Sequence, residues 1–395
     1  MNEPLERRAV IRGIGQSAVG RRLGRSDLDL TLEAAREAVD DAGLTFADID
    51  GLSTYPGGDL PATPGFTGPG TPVVQEALRL RLNWHSGGPE GAAQIQAVIN
   101  ACLAVATGLA RHVLVYRTVT ESSSQVGGRG GASPLREVGP PLEWLMPAGA
   151  LSAVQWLALV ATRHAHEFGT TREQLAQIPL TCRRNATDNP KAVYTTPLTM
   201  ADYLAARMIS TPLCLYDCDV PVDGSTAFVV SHVDTAADAP HPPVHVNAVG
   251  TALRHRNSWT QWPGPTQLAC HDAADHMWER TDLKPTDVDT AQLYDGFSIL
   301  TLLWLEALGF CGPGESGPYV ADGHRIARDG ELPLNTHGGQ LSAGRLHGFS
   351  LLHEACLQLR GDAGPRQLPR PPHVAVVGNG GGPIGGCILL TAGPP

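Results

Sequence analysis

The 395 residues, 42% of them hydrophobic, supply enough apolar material for two core-forming halves of ordinary domain size. A formal net charge of -10, with basic residues scattered and Arg7, Arg8, Arg21, Arg22, Arg183 and Arg184 forming only pairs, speaks against a nucleic-acid surface, which needs clustered cations. Only 5% of the residues are aromatic, while glycines number 45 and prolines 32, so tight turns and ordered loops are expected in place of a helical bundle.

The opening MNEPLERRAV has no apolar stretch after its charges and does not read as a signal peptide. Apolar periodicity then predicts a helix over 31–42, followed by LTFADIDGLSTY, from Leu44 to Tyr55, leading into a strand. Gly87 and Gly88 precede a helix over 92–108 and the strand HVLVY at 112–116. The longest apolar stretch, around 148–161, includes Ser152 and Gln155 and falls short of a bilayer span. A cytoplasmic protein without a membrane span is expected.

The second half repeats this order. A helix over 270–281 precedes LKPTDVDTAQLY, from Leu283 to Tyr294, in which Leu, Asp, Asp and Tyr recur at the offsets of the first block. Gly338 and Gly339 precede a helix over 348–360 and the strand HVAVV at 373–377. Two copies of one α/β unit about a pseudo-twofold axis account for the pattern. Residues 1–119 with 201–240 are assigned to an N-terminal half, 241–395 to a C-terminal half, and 120–200 to an inserted loop region. That insert holds a Gly-rich run at 127–131 and a helical run at 172–184; it is expected either to cover substrate or make dimer contacts, or to be a structural excursion. Eight cysteines, at 102, 182, 214, 218, 270, 311, 356 and 387, show no paired CxxC spacing, so no bound metal is expected.

Five segments carry a family resemblance in the correct order along almost the whole chain: EFGTTREQLAQI (167–178), the run from Asn189 to Val230 ending DCDVPVDGSTAFVV, YDGFS (294–298), NTHGGQLSAGRLHG (335–348) and GNGGGPIGG (378–386). They resemble the thiolase superfamily, within it the sterol-carrier-protein-X type and its lipid-transfer-protein relatives. The resemblance implies an α/β thiolase fold, a five-layer αβαβα sandwich of two duplicated halves, and a homodimer. It also locates what is missing. Gly88 stands where the nucleophilic cysteine belongs, Arg345 where the GHP histidine belongs, and Gly378 where the second cysteine belongs. Without the first thiol an acyl-enzyme cannot form. Cys102 and Cys387 are read as buried thiols of a helix and a strand.

Polar groups fill the vacated positions: Tyr294, Asp295, His337, Arg345 and His347 lie on loops that face substrate in the family. This pattern resembles the thiolase-like steroid side-chain aldolases, which split a β-hydroxyacyl-CoA between its α and β carbons. Retro-aldol cleavage needs a base for the β-hydroxyl proton and donors for the thioester enolate, with no covalent nucleophile. Tyr294 is the expected base or proton relay, Arg345 the cation favouring its phenolate or an oxyanion, and His347 an alternative proton acceptor. Substrate binding is assigned to His337, Asp295, Gly88, Gly380 and Gly381, the last two letting backbone approach the thioester. Those aldolases carry a second tyrosine where this chain has Arg345, a departure that bears on the acid/base pairing.

Each assignment has a structural alternative. Tyr294 would be a strand-end core tyrosine like Tyr55, Arg345 a salt-bridged loop arginine, His337 a satisfied loop histidine, and Asp295 an orienter of loop amides. Asp217, Asp219 and Asp223 are read as a turn entering a core strand rather than a calcium site. The resemblance further implies an acyl-CoA substrate, no cofactor beyond the CoA within it, and a separate OB-fold partner bearing a zinc ribbon. The competing functions are a non-catalytic acyl-CoA- or lipid-binding subunit and an acyl-CoA acyltransferase using a displaced cysteine.

Overall fold

The computed structural model describes residues 3–56, 64–88, 94–125, 145–150, 152–255, 258–259, 262–264 and 266–394. Its strands are β1 (Ala9–Gln16), β2 (Gly51–Thr54), β3 (Trp84–Gly87), β4 (His112–Thr120), the hairpin β5 (Met208–Ser210) and β6 (Leu213–Cys214), β7 (Asp223–His232), β8 (Val244–Ala252), β9 (Thr290–Leu293), β10 (Val374–Gly380) and β11 (Gly385–Thr391). Its principal helices are α1 (Asp27–Asp41), α2 (Thr71–Leu78), α3 (Gln94–Ala106), α4 (Ala153–Phe168), α5 (Arg172–Ala186), α6 (Ala269–Trp278), α7 (Ser298–Ala307) and α8 (Phe349–Arg360).

Apart from the small hairpin, the strands are ordered β3-β2-β4-β7-β1-β8-β11-β10-β9. The duplication is visible in that order, because β1-β7-β4-β2 is matched by β8-β11-β10-β9. The two halves meet edge to edge where Val10 pairs with His245 and Ile11 with Val244. β2 runs parallel to β3 and β4, and β9 parallel to β10, while the remaining neighbours are antiparallel.

The repeated aspartates do the same work in each half. Asp48 Oδ2 accepts from the Thr45 amide and Asp287 Oδ2 from the Lys284 amide, both at 2.8 Å, closing the turn after the first helix. Asp50 accepts from the amides of Arg111 and His112 at 2.8 and 2.9 Å; Asp289 accepts from those of His373 and Val374 at 2.7 and 2.9 Å. These carboxylates pair amides at the strand starts, so the spacing of these residues was a signature of the unit.

Between the two sheet halves lie α3 and α8, whose Ile95, Val98, Phe349 and Leu352 pack with Val113 and Val230 of one half and Val377 and Ile388 of the other. On the outer face of the first half, Ala34, Ala38 and Val39 of α1 meet Leu114 and Val229. The outer face of the second half is covered by Cys270 and Met277 of α6 and by Leu303 and Trp304 of α7. Helix, sheet, helix, sheet, helix are the five layers expected.

Region 120–200 carries more than loop. Leu157 and Val160 of α4 and Leu175 and Ile178 of α5 join the outer core of the second half. The Gly-rich run at 127–131 and the start of the helix expected from residue 92 lie outside the described residues. Among the described residues, no helix is long and apolar enough to cross a membrane.

Candidate active site

Tyr294 directly follows β9, and its amide donates to the Gly378 carbonyl at 2.9 Å, which continues the parallel ladder by one step and sets the phenol at the strand's carboxyl end. Arg345 and His347 come from the loop that precedes α8. That loop is zipped to the segment entering β7: Arg345 N donates to Val220 O at 2.8 Å, and Val220 N to Gln340 O at 3.1 Å. The zipper carries Asp219 into the site. A turn at the end of β4 brings in Glu121.

These elements enclose a cavity of about 380 Å³, walled by Phe66, Ile209, Trp259, Phe297 and Leu300 and presenting Asp219, Tyr294, Arg345 and His347. The structure therefore gathers all three residues assigned to catalysis. His347 adopts a left-handed backbone with φ of 51°, uncommon for a side chain with a Cβ and often stored at functional sites. Its ring meets that of Phe66 edge-on, with centroids 4.6 Å apart.

Arg345 grips two carboxylates. Its Nε and Nη2 donate to the two oxygens of Glu121 at 2.9 and 2.7 Å, and its Nη1 donates to Asp219 Oδ1 at 2.8 Å. His347 Nε2 lies 3.2 Å from Glu121 Oε2. The side chains of Glu121 and Asp219 are only 1% and 6% exposed, so the cluster is almost dry.

Burial splits the two carboxyls. At Glu121 it acts upwards but is outweighed by Arg345 and His347, which hold the group at about 2. At Asp219 burial prevails over Arg345, with Glu121 and Asp295 adding to it, and the carboxyl rises to about 7. Burial lowers His347 to about 4 against the pull of Glu121. The imidazole is thus neutral near pH 7, and Nε2 facing a carboxylate is assigned as its N–H.

The expected effect of Arg345 on Tyr294 is corrected. Burial first, then Asp219, push the phenol well above its ordinary 10, and Arg345 offsets only part of this. The guanidinium is already neutralised by two carboxylates. Tyr294 keeps its proton near neutrality, so its hydroxyl is available as a hydrogen-bond donor.

Asp295 is fully buried beneath the loop, accepting from the amides of Gln340 at 2.9 Å and Leu341 at 3.3 Å and from the Cys182 thiol at 3.4 Å. It orients the loop. Gly339, with φ of 58°, is required there, since a Cβ would sit 1.9 Å from Asp295 Oδ2. His337 is not brought to Tyr294; it lines a separate cavity with Lys191, His353, Glu354 and Arg366, and burial lowers it to about 4.

Gly380 and Gly381 lie against Trp304, whose indole N–H donates to the Gly380 carbonyl at 3.2 Å. The same indole explains Gly378: a Cβ there would come within 2.8 Å of its ring, so Trp304 occupies the room that a cysteine at 378 would need. At Gly88 a Cβ would meet no described atom within 4 Å. Cys102 and Cys387 are fully buried, and burial pushes the Cys102 thiol up to about 12. Cys218 lines the cavity, its thiol donating to the Cys214 carbonyl at 3.5 Å.

The three aspartates of DCDVPVDG have separate duties. Asp217 accepts from the Tyr203 hydroxyl at 2.8 and 2.9 Å and from the Cys214 amide at 2.8 Å. Asp223 accepts from the amides of Leu23 at 2.8 Å and Ser123 at 2.9 Å. Only Asp219 faces the cavity. Glu121 and Asp219 are the site residues that sequence reasoning did not assign.

A duplicated five-layer sandwich, with glycine at one former thiol position, indole-packed glycine at the other, and a polar cluster at the mouth of β9, defines a thiolase-fold protein with altered chemistry. Residues 250–388 match the family described as thiolase C-terminal domain-like. Over 391 residues the chain is 34% identical to the steroid side-chain-cleaving aldolase of Thermomonospora curvata, covering 96% of this chain and 97% of that one. Over 396 residues it is 34% identical to the 17-hydroxy-3-oxo-4-pregnene-20-carboxyl-CoA lyase of Mycobacterium tuberculosis, covering 98% and 100%. The solved Ltp2-ChsH2(DUF35) aldolase superposes with a TM-score of 0.87 at 32% identity, over 98% of both chains. The chain belongs to the thiolase superfamily, in the lipid-transfer and sterol-carrier type that includes these aldolases. It is a thiolase-like carbon–carbon lyase.

Proposed function

We propose that the chain cleaves a β-hydroxyacyl-CoA, a steroid side-chain CoA thioester, by a retro-aldol reaction that releases a ketone or aldehyde and a shorter acyl-CoA. The observation that carries this reading is the polar cluster of Tyr294, Asp219, Arg345 and His347 presented to an apolar cavity. The cavity, at about 380 Å³, falls within the range of ordinary ligand sites, and its aromatic and aliphatic walls suit a bulky hydrocarbon. Tyr294, a neutral phenol at the cavity wall, is the group that would protonate the enolate carbon. Arg345 is the cation for developing oxygen charge.

The name of the mycobacterial relative, a pregnene-carboxyl-CoA lyase, supports the substrate class. CoA enters as part of that substrate, and no further cofactor is proposed. The solved aldolase pairs Ltp2 with ChsH2(DUF35), which supports a separate partner chain here, of the OB-fold and zinc-ribbon kind, alongside a homodimeric thiolase-like core in the cytoplasm.

The test is incubation of the protein, with and without a DUF35 partner, with steroid and simple β-hydroxyacyl-CoA thioesters. Mass spectrometry should find the ketone or aldehyde and the shortened acyl-CoA in equal amounts. No cleavage of any of them with the partner present overturns the reading. Transfer of an acetyl label from acetyl-CoA to Cys218 would instead point to acyl transfer.

A further inference from the structure

We propose that Asp219 is the general base that takes the β-hydroxyl proton, and that Arg345 is its positioning residue. This rests on the retro-aldol reading above and deepens it.

Asp219 lines the cavity beside Tyr294, Arg345 and His347. Its Oδ1 is held by Arg345 Nη1 at 2.8 Å. Its Oδ2 lies across Gly296 from Tyr294: a Cβ on that glycine would be 2.7 Å from the tyrosine ring and 3.4 Å from Oδ2. One oxygen is anchored by Arg345 and the other faces the Tyr294 ring across Gly296.

The other groups around it are committed elsewhere. Both oxygens of Glu121 are taken by Arg345, with His347 on one of them, and the group is held at about 2, too weak a base for neutral pH. Asp295 spends its oxygens on the Gln340 and Leu341 amides. His347 sits at about 4, and Tyr294 retains its proton. Asp219, at about 7, has the basicity that general-base catalysis favours near neutrality.

The step balances without an oxidant or reductant. Asp219 accepts the hydroxyl proton; the O–H pair becomes the new C=O bond as the Cα–Cβ bond breaks, and that bond's pair passes to the thioester enolate. Tyr294 protonates the enolate carbon, and the proton held by Asp219 restores the phenol. Product departure leaves the site as it began.

The experiment measures cleavage by the partner-bound protein from pH 5 to 9 for the wild type, Asp219→Asn and Asp219→Glu. The wild-type kcat should rise with pH through about 7. Asp219→Asn, which keeps an acceptor oxygen for Arg345, should lose roughly 10²–10⁴-fold in kcat, with circular dichroism and binding of a non-cleavable acyl-CoA analogue unchanged. Asp219→Glu should retain a rising limb at a reduced rate. A wild type that cleaves while Asp219→Asn stays within tenfold, or keeps the same limb, overturns Asp219 as base and leaves the lyase reading standing. A wild type that cleaves nothing overturns both.

Discussion

Asp219→Asn should stabilise the protein at and above neutral pH, although it removes one partner of a buried ion pair. The Asp219 side chain is 6% exposed, and burial raises its carboxyl from the ordinary 3.8 to about 7 despite the guanidinium of Arg345. Between those values the folded protein holds a proton that the unfolded chain has released. Each pH unit in that window therefore costs the folded state about 1.4 kcal/mol. The Asp219 contribution to wild-type stability falls as pH rises from about 4 to about 7, by about 4 kcal/mol in all. An amide does not titrate and escapes the loss, and Glu121 still neutralises Arg345 through its bonds at 2.9 and 2.7 Å. The assay is urea unfolding of both proteins at pH 4.5, 6 and 8 at fixed ionic strength. The gap between them should move in favour of the variant by about 3–4 kcal/mol from the lowest to the highest pH. A constant gap, or one that turns against the variant at pH 8, refutes the reasoning, because Arg345 would then outweigh burial and Asp219 would be an ordinary ionised partner.

Glu121→Gln has the opposite sign. Its carboxyl is held at about 2, below the ordinary 4.5, so its contribution is fully present above about 4.5 and is lost only as pH falls towards 2; urea unfolding at pH 7 should show a loss of about 3 kcal/mol. Tyr294→Phe keeps the half-buried ring but removes the donor, so cleavage should fall roughly 10²–10⁴-fold while calorimetric acyl-CoA affinity is unchanged; an undiminished rate contradicts the donor role. Arg345→Tyr installs the second tyrosine that the family resemblance implies, yet leaves Glu121 and Asp219 buried without their cation. Thermal and chemical denaturation should register a cost of about 3–5 kcal/mol and steady-state assays no gain in rate; a faster, equally stable variant would show that Arg345 is dispensable.

The duplicated frame was legible because local chemistry encodes it. Asp48 and Asp287 close equivalent turns and Asp50 and Asp289 hold equivalent strand starts, so their spacing survives where the rest of the sequence has diverged. Element ends were less legible: β4 runs on to Thr120 because Arg117 to Thr120 pair with residues 223 to 226 of β7, far along the chain. Tyr294, Arg345 and His347 could be found from motif order. Glu121 and Asp219 could not, since their roles exist only where the loops after β4, before β7 and before α8 converge. The signal for Asp219 was present in DCDVPVDG, but three aspartates in seven residues look like one unit, and only folding assigns them to three different partners. The direction of the Tyr294 shift was hidden for the same reason, being set by burial and by Asp219.

A duplicated fold offers two equivalent strand ends, and among the described residues the polar cluster that faces a cavity stands at the end of β9. Tyr55 is the repeat mate of Tyr294, yet it is 4% exposed and lies under the Arg117 guanidinium, 5.6 Å from its ring centroid. Tyr294 instead borders a cavity, and much of that cavity's wall, from Ser152 to Val154 and from Ile209 to Asp219, belongs to the unrepeated stretch between β4 and β7. This unrepeated stretch, not the repeat, makes the two ends different. It supplies the apolar surface that dries the site, and the drying raises Asp219 while Arg345 keeps Glu121 ionised beside it. Substrate range should therefore follow residues such as Ile209 and Leu215, and proton transfer should follow the zipper between Val220 and the loop before α8.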